Sequence, residues 1–471
     1  MKNNVYNIIH HGAVDGVTGS CHELNIANGK DGILVDCGLF QGEEKSMDGA
    51  GANQLEIEFP IEHIRALVVT HCHIDHVGRI PYLLAAGFEG PIICTIPTAK
   101  LLPLILEDAL HIGVTKNQSL IDRFLKIIEQ RLVAVEYGEW HNIELKTKGK
   151  KLKIKFSPAG HVIGSAYVEC ELQDKDTVHQ VLFSGDLGAT HTPILISPNA
   201  PKGTDVLILE STYGDKNHDG RKERRKVLKS IIEHCFRDRG VVIIPAFSIG
   251  RTQELLYEFE HIIHDFGESK AHDKGNWEDV EVVIDSPLAN NFTEVYKTLR
   301  DYWDYEAQDR VKEGRHPLAF DQMTTIGDHK EHLSTVEYLK KTARPTIVIA
   351  ASGMCTGGRV VNYLKSLLGD SRTDVVFVGY QSYGTPGRDI QKYGPRHGYV
   401  ELDGKRYDIK AQVYTLRGYS AHADQEGLLN FVRDMEKKPR EIRLVHGDDR
   451  TKRTFKEALE KEFPDIEILI P

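Results

Sequence analysis

Several absences narrow what this 471-residue chain can be. No apolar run approaches the ~20 residues of a membrane-spanning helix, so no membrane role is expected. The opening Met-Lys-Asn-Asn-Val-Tyr-Asn has neither an apolar core nor a cleavage site, which speaks against a secretory signal and for a cytoplasmic protein. Cysteine is scarce: seven residues, an odd number, with no CxxC pair. These cysteines stand beside apolar neighbours and read as small buried hydrophobes in a reducing compartment, not as a disulfide framework. Positive charge is not in excess either. A net charge of −10 excludes a protein coated with basic surface. It does not exclude nucleic acid, because binding follows the local potential and metal ions bring positive charge of their own. Internal repeats and low-complexity tracts are also missing. The rest is a globular composition, 40% hydrophobic and 27% charged, on a chain long enough for two or three cores.

What is present is concentrated in Val68-Val69-Thr70-His71-Cys72-His73-Ile74-Asp75-His76-Val77-Gly78. Leu67-Val68-Val69 reads as a short buried strand, and Gly78 releases the chain into a helix over 79–86. Between them, six residues carry three histidines and a carboxylate. Such a density of imidazole and carboxylate, fixed between two regular elements, is what a divalent-metal site needs. Four potential ligands are too many for one tetrahedral ion that keeps a position open for water, so two metals sharing the loop fit better. In an extended segment the Cys72 side chain points away from its neighbours' and is left out of the site.

Further candidate ligands recur just past strands, where a loop can aim them across a sheet edge. His161 follows the strand over 151–156, Asp186 the strand over 179–184, Glu210 the strand over 206–209, and His446 the strand over 441–445. In the first segment, Asn28-Gly29 between two apolar runs signals a hairpin. Helical spacing covers 98–111 and 118–129. From about residue 212 to about 400 the texture is strand then helix, repeated, with one long helix expected over 288–311; that pattern predicts a parallel α/β sheet. The basic run 221–226 reads as a solvated helix face. The tail from 401 is expected to rejoin the first domain, since His446 would complete the metal site. The expected domains are therefore 1–210 with 401–471, and an insertion at 211–400.

His71-x-His73-x-Asp75-His76, with His161, Asp186 and His446, resembles the metallo-β-lactamase signature. Glu210, His422 and His446 stand where the β-CASP branch of that superfamily, a branch of nucleases, has its motifs A, B and C. Val17-Thr18-Gly19-Ser20, Pro245-Ala246-Phe247-Ser248-Ile249-Gly250-Arg251, Ser352-Gly353-Met354-Cys355-Thr356-Gly357-Gly358-Arg359 and Gly379-Tyr380-Gln381 with Gly384-Thr385-Pro386-Gly387-Arg388 are similar to stretches of its shorter, polyadenylation-factor-like members. One departure is Ala189-Thr190-His191 after Asp186-Leu187-Gly188, where the family pattern has arginine.

The resemblance implies an α/β protein: a metallo-β-lactamase αββα sandwich with an inserted parallel-sheet β-CASP domain. It implies one zinc on His71, His73 and His161, a second on Asp75, His76 and His446, and Asp186 bridging them. Manganese or iron could occupy such a mixed N/O site. The implied activity is hydrolysis of single-stranded RNA by a two-zinc hydroxide mechanism, leaving 5′-phosphate and 3′-hydroxyl ends. Asp75, His422 and Glu210 are the expected catalytic residues, with His422 as the acid for the leaving oxygen and Glu210 as its partner. Arg251, Ser352, Gly353 and Arg359 are expected at the substrate phosphates. Endonucleolytic cleavage is the expected mode. The alternatives are 5′-exonuclease action, a small-molecule metallo-hydrolase, or an interaction subunit with a decayed site, though no ligand is missing here. The analogy also allows for a homodimer.

Overall fold

The computed structural model describes residues 5–41, 44–46, 49–218, 223–267, 269–272, 275–342 and 344–471. The first four residues, and Arg221 and Lys222 of the basic run, lie outside the described residues. The chain forms two compact units: 1–191 with 195–217 and 422–471, and 192–194 with 218–421.

The first unit is built on two sheets. Six strands follow one another in chain order from Tyr6–His10 to Leu132–Val135, the first three antiparallel and the rest parallel. Seven more form the second sheet, in which the strand Val206–Glu210 lies parallel to Glu441–Val445. Alternation along the strands decides what each face buries. Leu24, Ile33, Val35, Ala66 and Val68 of the first sheet pack with Ile154, Phe156, Val168, Phe183 and Ile208 of the second in one core. The opposite face of the second sheet, with Leu182, Leu207 and Leu209, is covered by Leu428, Val432, Phe455 and Leu459 from the helices Gln425–Arg433 and Asp449–Glu462. The helix Ile96–Gly113 packs on the strands Ile92–Thr95 and Leu132–Val135 of the first sheet. The expected αββα sandwich is present. Its hairpin is turned by Ala27, Asn28 and Gly29, all at positive φ.

In the second unit the six-stranded sheet is parallel throughout; a parallel sheet is what the strand–helix repeat over about 212–400 predicts, and Gln412–Thr415, from beyond that repeat, forms one edge. The expected single helix over 288–311 is instead two, Pro287–Thr298 and Tyr305–Lys312, separated by a 3₁₀ turn. The break has a physical cause. Asp304 accepts from Ala307 N at 2.8 Å as the second helix's N-cap, and buried Trp303 donates its indole N–H back to Tyr296 O at 3.2 Å. In the basic run, Arg224 and Arg225 both pair with buried Glu258, so this part is not a free solvated face. Among the described residues no helix is long and apolar enough to cross a membrane.

One buried carboxylate links the two sheets. Asp31 starts a strand of the first sheet and accepts from Arg65 Nε at 2.5 Å and from the backbone N–H of Lys146 and Thr147 at 3.0 and 2.8 Å. Burial alone would raise its carboxyl pKa, but the hydrogen bonds from Thr147, Arg65 and Lys146 hold it below the usual range. Asp31→Ala is expected to cost about 2–4 kcal/mol in chemical denaturation at pH 7. Because the folded-state pKa is depressed, this contribution is present above about pH 4 and is lost as pH falls. The gap between wild type and variant should therefore narrow markedly by about pH 3; a gap independent of pH would assign the loss to packing alone.

Candidate metal centre

The histidine loop leaves the strand Ile64–Val68 and turns into the short helix Ile74–Val77. Its backbone is clamped by the segments before the strand His22–Ile26 and after the strand Asp31–Val35: Ser20 N donates to Asp75 O at 2.9 Å, Cys37 N to His76 O at 2.8 Å and Leu39 N to Ile74 O at 3.0 Å. Gly38 makes this approach sterically feasible, since a Cβ there would lie 1.6 Å from Asp75 O. A second crossing brings in the other loops. Gly188 N donates to Ala159 O at 2.6 Å, and Ala423 N donates to Leu187 O at 2.7 Å. The segments carrying His161, Asp186 and His422 are thereby pinned together. His446 sits in the left-handed region with φ 53°, its N–H donating to Ala13 O at 2.7 Å.

Within this frame the structure brings the seven expected metal ligands into two adjoining groups: His71, His73, His161 and Asp186 in one, Asp75, His76 and His446 in the other. Tetrahedral donors about 2.05 Å from a zinc ion stand about 3.3 Å from one another. In the first group His73 Nδ1 is 3.1 Å from His71 Nε2 and 3.0 Å from His161 Nε2, and Asp186 Oδ2 is 3.5 Å from each of those Nε2 atoms. In the second, His76 Nε2 and His446 Nε2 are 3.3 Å apart, and Asp186 Oδ1 is 3.3 and 3.5 Å from them. Asp75 Oδ2 is 3.5 Å from His446 Nε2. The two oxygens of Asp186 therefore face one group each. Oδ1 has no hydrogen-bond partner, although the side chain is 2% exposed. This donor set fits a pair of cations. Cys72 is buried and belongs to neither group.

The electrostatics agree. Burial, then the neighbouring His76, pushes the His71 pKa well down; burial, then His422, does the same to His161; and burial lowers His73 to about 4, all directions that favour the neutral, lone-pair-donating imidazole. At His446 burial opposes charge, but Asp186 and Asp75 outweigh it and lift the pKa to about 9. His76 is raised in the same way by Asp186 and Asp36. The carboxylates here draw positive charge toward them, which a bound metal ion would supply.

The far ring nitrogens are held by residues that escape the ligand pattern. Asp36 Oδ2 is 2.7 Å from His76 Nδ1 and accepts from Thr70 Oγ1 at 2.8 Å, while Asp36 Oδ1 accepts from Thr70 N at 2.8 Å. Thr212 Oγ1 is 3.0 Å from His446 Nδ1. Such contacts fix ring orientation and tautomer. The sequence signal for Asp36 is its place just past a buried strand, as for Asp186 and Glu210.

Beside the metal groups, His422 Nδ1 lies 3.2 Å from both oxygens of Glu210. Glu210 is buried, and its Oε1 accepts from Leu187 N at 2.7 Å. His422 Nε2 is 3.9 Å from Asp186 Oδ2. Burial disfavours charge on His422, but Glu210 and Asp186 prevail and raise its pKa.

The expected phosphate contacts lie in the second unit, and two of them are occupied internally. Arg251 pairs with Glu254. Arg359 donates to Asp285 Oδ1 at 2.6 Å and to the carbonyls of Ile326 and Gly327 at 3.1 and 2.9 Å. Ser352 Oγ is 3.3 Å from Thr356 Oγ1, and Gly353 is buried.

Replacing Asp36 by Ala should leave the fold intact and lower metal affinity about 10- to 100-fold, read by competition with a chromogenic chelator. An unchanged affinity would remove Asp36 from the site.

Comparison with known proteins bears on these groups. The metallo-beta-lactamase superfamily profile matches residues 19–246, the Beta-Casp domain 252–390, and the Zn-dependent metallo-hydrolase RNA specificity domain 406–471. The chain is 33% identical over 442 residues to Ribonuclease TTHA0252 of Thermus thermophilus, covering 94% of this chain and 93% of that protein. It is 29% identical to the transcription termination factor FttA of Methanocaldococcus jannaschii over 92% of its own length, spanning 65% of that longer relative. A crystal structure of a protein of unknown function from Enterococcus faecalis V583 shares the fold, with TM-score 0.53 at 12% identity, over 99% of this chain and 98% of that one. With its sandwich, its inserted parallel-sheet unit and its converging histidines and carboxylates, the chain belongs to the β-CASP family of the metallo-β-lactamase superfamily.

Proposed function

We propose that this protein is a metal-dependent ribonuclease that hydrolyses phosphodiester bonds of single-stranded RNA with two zinc ions, cutting internally. The observation that carries the reading is the placement of Asp186, one oxygen toward each histidine group, with His422 and Glu210 alongside. A relative at 33% identity named as a ribonuclease supports RNA as the substrate. The match to an RNA specificity domain supports it further.

When bound, the two cations supply Lewis acidity toward a phosphodiester and acidify a water to a pKa of about 7. The residues of the chain do the rest. His71, His73 and His161 on one side, and Asp75, His76 and His446 on the other, would hold the cations, with one oxygen of Asp186 facing each group. Water adds at phosphorus as the bond to the 3′ oxygen breaks. That oxygen must gain a proton to leave as a hydroxyl. His422 Nε2–H donates it, while Glu210 holds Nδ1–H, keeps the ring oriented and favours its protonated form. The products are a 3′-hydroxyl and a 5′-phosphate.

Two outcomes test this. His422→Ala is expected to lower kcat for RNA cleavage roughly 10²- to 10⁴-fold with metal content unchanged; full activity in this variant would contradict the assignment. Circular single-stranded RNA should be opened by the protein and spared after chelation. Resistance of the circle, with a linear 5′-phosphorylated strand degraded, would replace internal cutting by 5′-exonuclease action.

A further inference from the structure

The second unit carries an open aromatic surface that the proposed reaction leaves unused. Loops 246–250, 351–358 and 378–385 leave the carboxyl ends of three neighbouring parallel strands, Thr346–Ala350, Val241–Pro245 and Thr373–Phe377. That edge is where open α/β sheets receive ligands. The arginines expected to meet phosphate here are turned to internal carboxylates, Arg251 to Glu254 and Arg359 to Asp285. What stands open in their place is aromatic. Phe247 is 45% exposed, Tyr380 57% and Tyr383 96%.

The three rings belong to one loop cluster. The Phe247 ring lies against Gly353, where an added Cβ would meet its Cδ2 at 3.1 Å. Gly353 O accepts from Gln381 Nε2 at 2.8 Å, and Gln381, itself buried, stands between the two exposed tyrosines. The tyrosine loop is stiffened at its far end, where Thr385 Oγ1 donates to Ser382 O at 2.7 Å and accepts from Arg388 N at 3.3 Å. Rings on braced turns lose little freedom when something stacks on them. The exposed Arg388 stands in the first turn of the next helix. None of the large side chains exposed in these loops is aliphatic. That suits flat, charged-backbone ligands better than an amphipathic helix, which presents Leu and Ile to a greasy groove.

We propose that Phe247, Tyr380 and Tyr383 form a base-stacking platform for single-stranded RNA, with Arg388 meeting the phosphates between stacked bases. The proposal rests on the ribonuclease reading for the identity of the strand. Stacking needs only a π-face, which every base has, so the platform holds RNA with little sequence preference.

The test is equilibrium binding of a fluorescent 12-nucleotide single-stranded RNA to the full, metal-loaded chain in the His422→Ala background, where cleavage is suppressed. Tyr383→Ala and Tyr380→Ala are each expected to weaken binding about 10-fold. Tyr383→Phe should bind like its parent. An abasic strand of the same length should bind the parent and Tyr383→Ala alike. Unchanged affinity in both tyrosine-to-alanine variants overturns the platform, and so does an equal loss with the abasic strand. The two readings fail separately: a chain with this ring dependence that cuts no RNA keeps the platform and loses the reaction, and a chain that cuts RNA with no ring dependence does the reverse.

Discussion

A buried carboxylate shared between two groups of imidazoles is the constraint on which the first unit depends. Removing an ionised carboxylate from water costs several kcal/mol unless opposite charge meets it. Asp186 is 2% exposed, and one of its oxygens finds no hydrogen-bond donor. Its neighbours hold its pKa well below the ordinary carboxylate range despite burial, so it stays ionised and draws positive charge from both sides. The proposed pair of cations would satisfy that demand at once. The crossings at Gly38 and Gly188 then read as the means of delivering ligands from distant loops to that one carboxylate.

Much of this was legible in the sequence because ligand residues are chemically unusual and stand where strands end. His71, His73, Asp75 and His76 announce themselves by density alone. His161, Asp186 and His446 each follow an apolar run. The supporting shell was not legible, because its contacts join residues that share no local pattern. Asp36 reaches Thr70 and His76 across 34 and 40 positions, and Thr212 reaches His446 across 234. An aspartate ending a strand looks the same whether it faces solvent or a histidine ring. The pairing of Val206–Glu210 with Glu441–Val445 is likewise set by tertiary packing and by nothing local in either segment.

The second unit illustrates a different limit. Its parallel sheet follows from strand–helix repetition, since βαβ connections leave little other choice. The helix expected over 288–311 failed because apolar periodicity continues through Leu299–Trp303, while an N-cap at Asp304 restarts the helix. Arginine next to glycine-rich turns looked like phosphate recognition. The internal partners Glu254 and Asp285, one three residues away and the other 74, could not be read from that local pattern. Composition shows that a charge exists, and only the fold shows where it is spent.

The claim that Asp186 joins two cations is tested most directly by crystals of the zinc-loaded protein, with diffraction recorded on both sides of the zinc absorption edge. The account predicts two anomalous peaks roughly 3.5–4 Å apart, one on each side of the Asp186 carboxylate. A single peak, or two peaks that do not share that carboxylate, would contradict it.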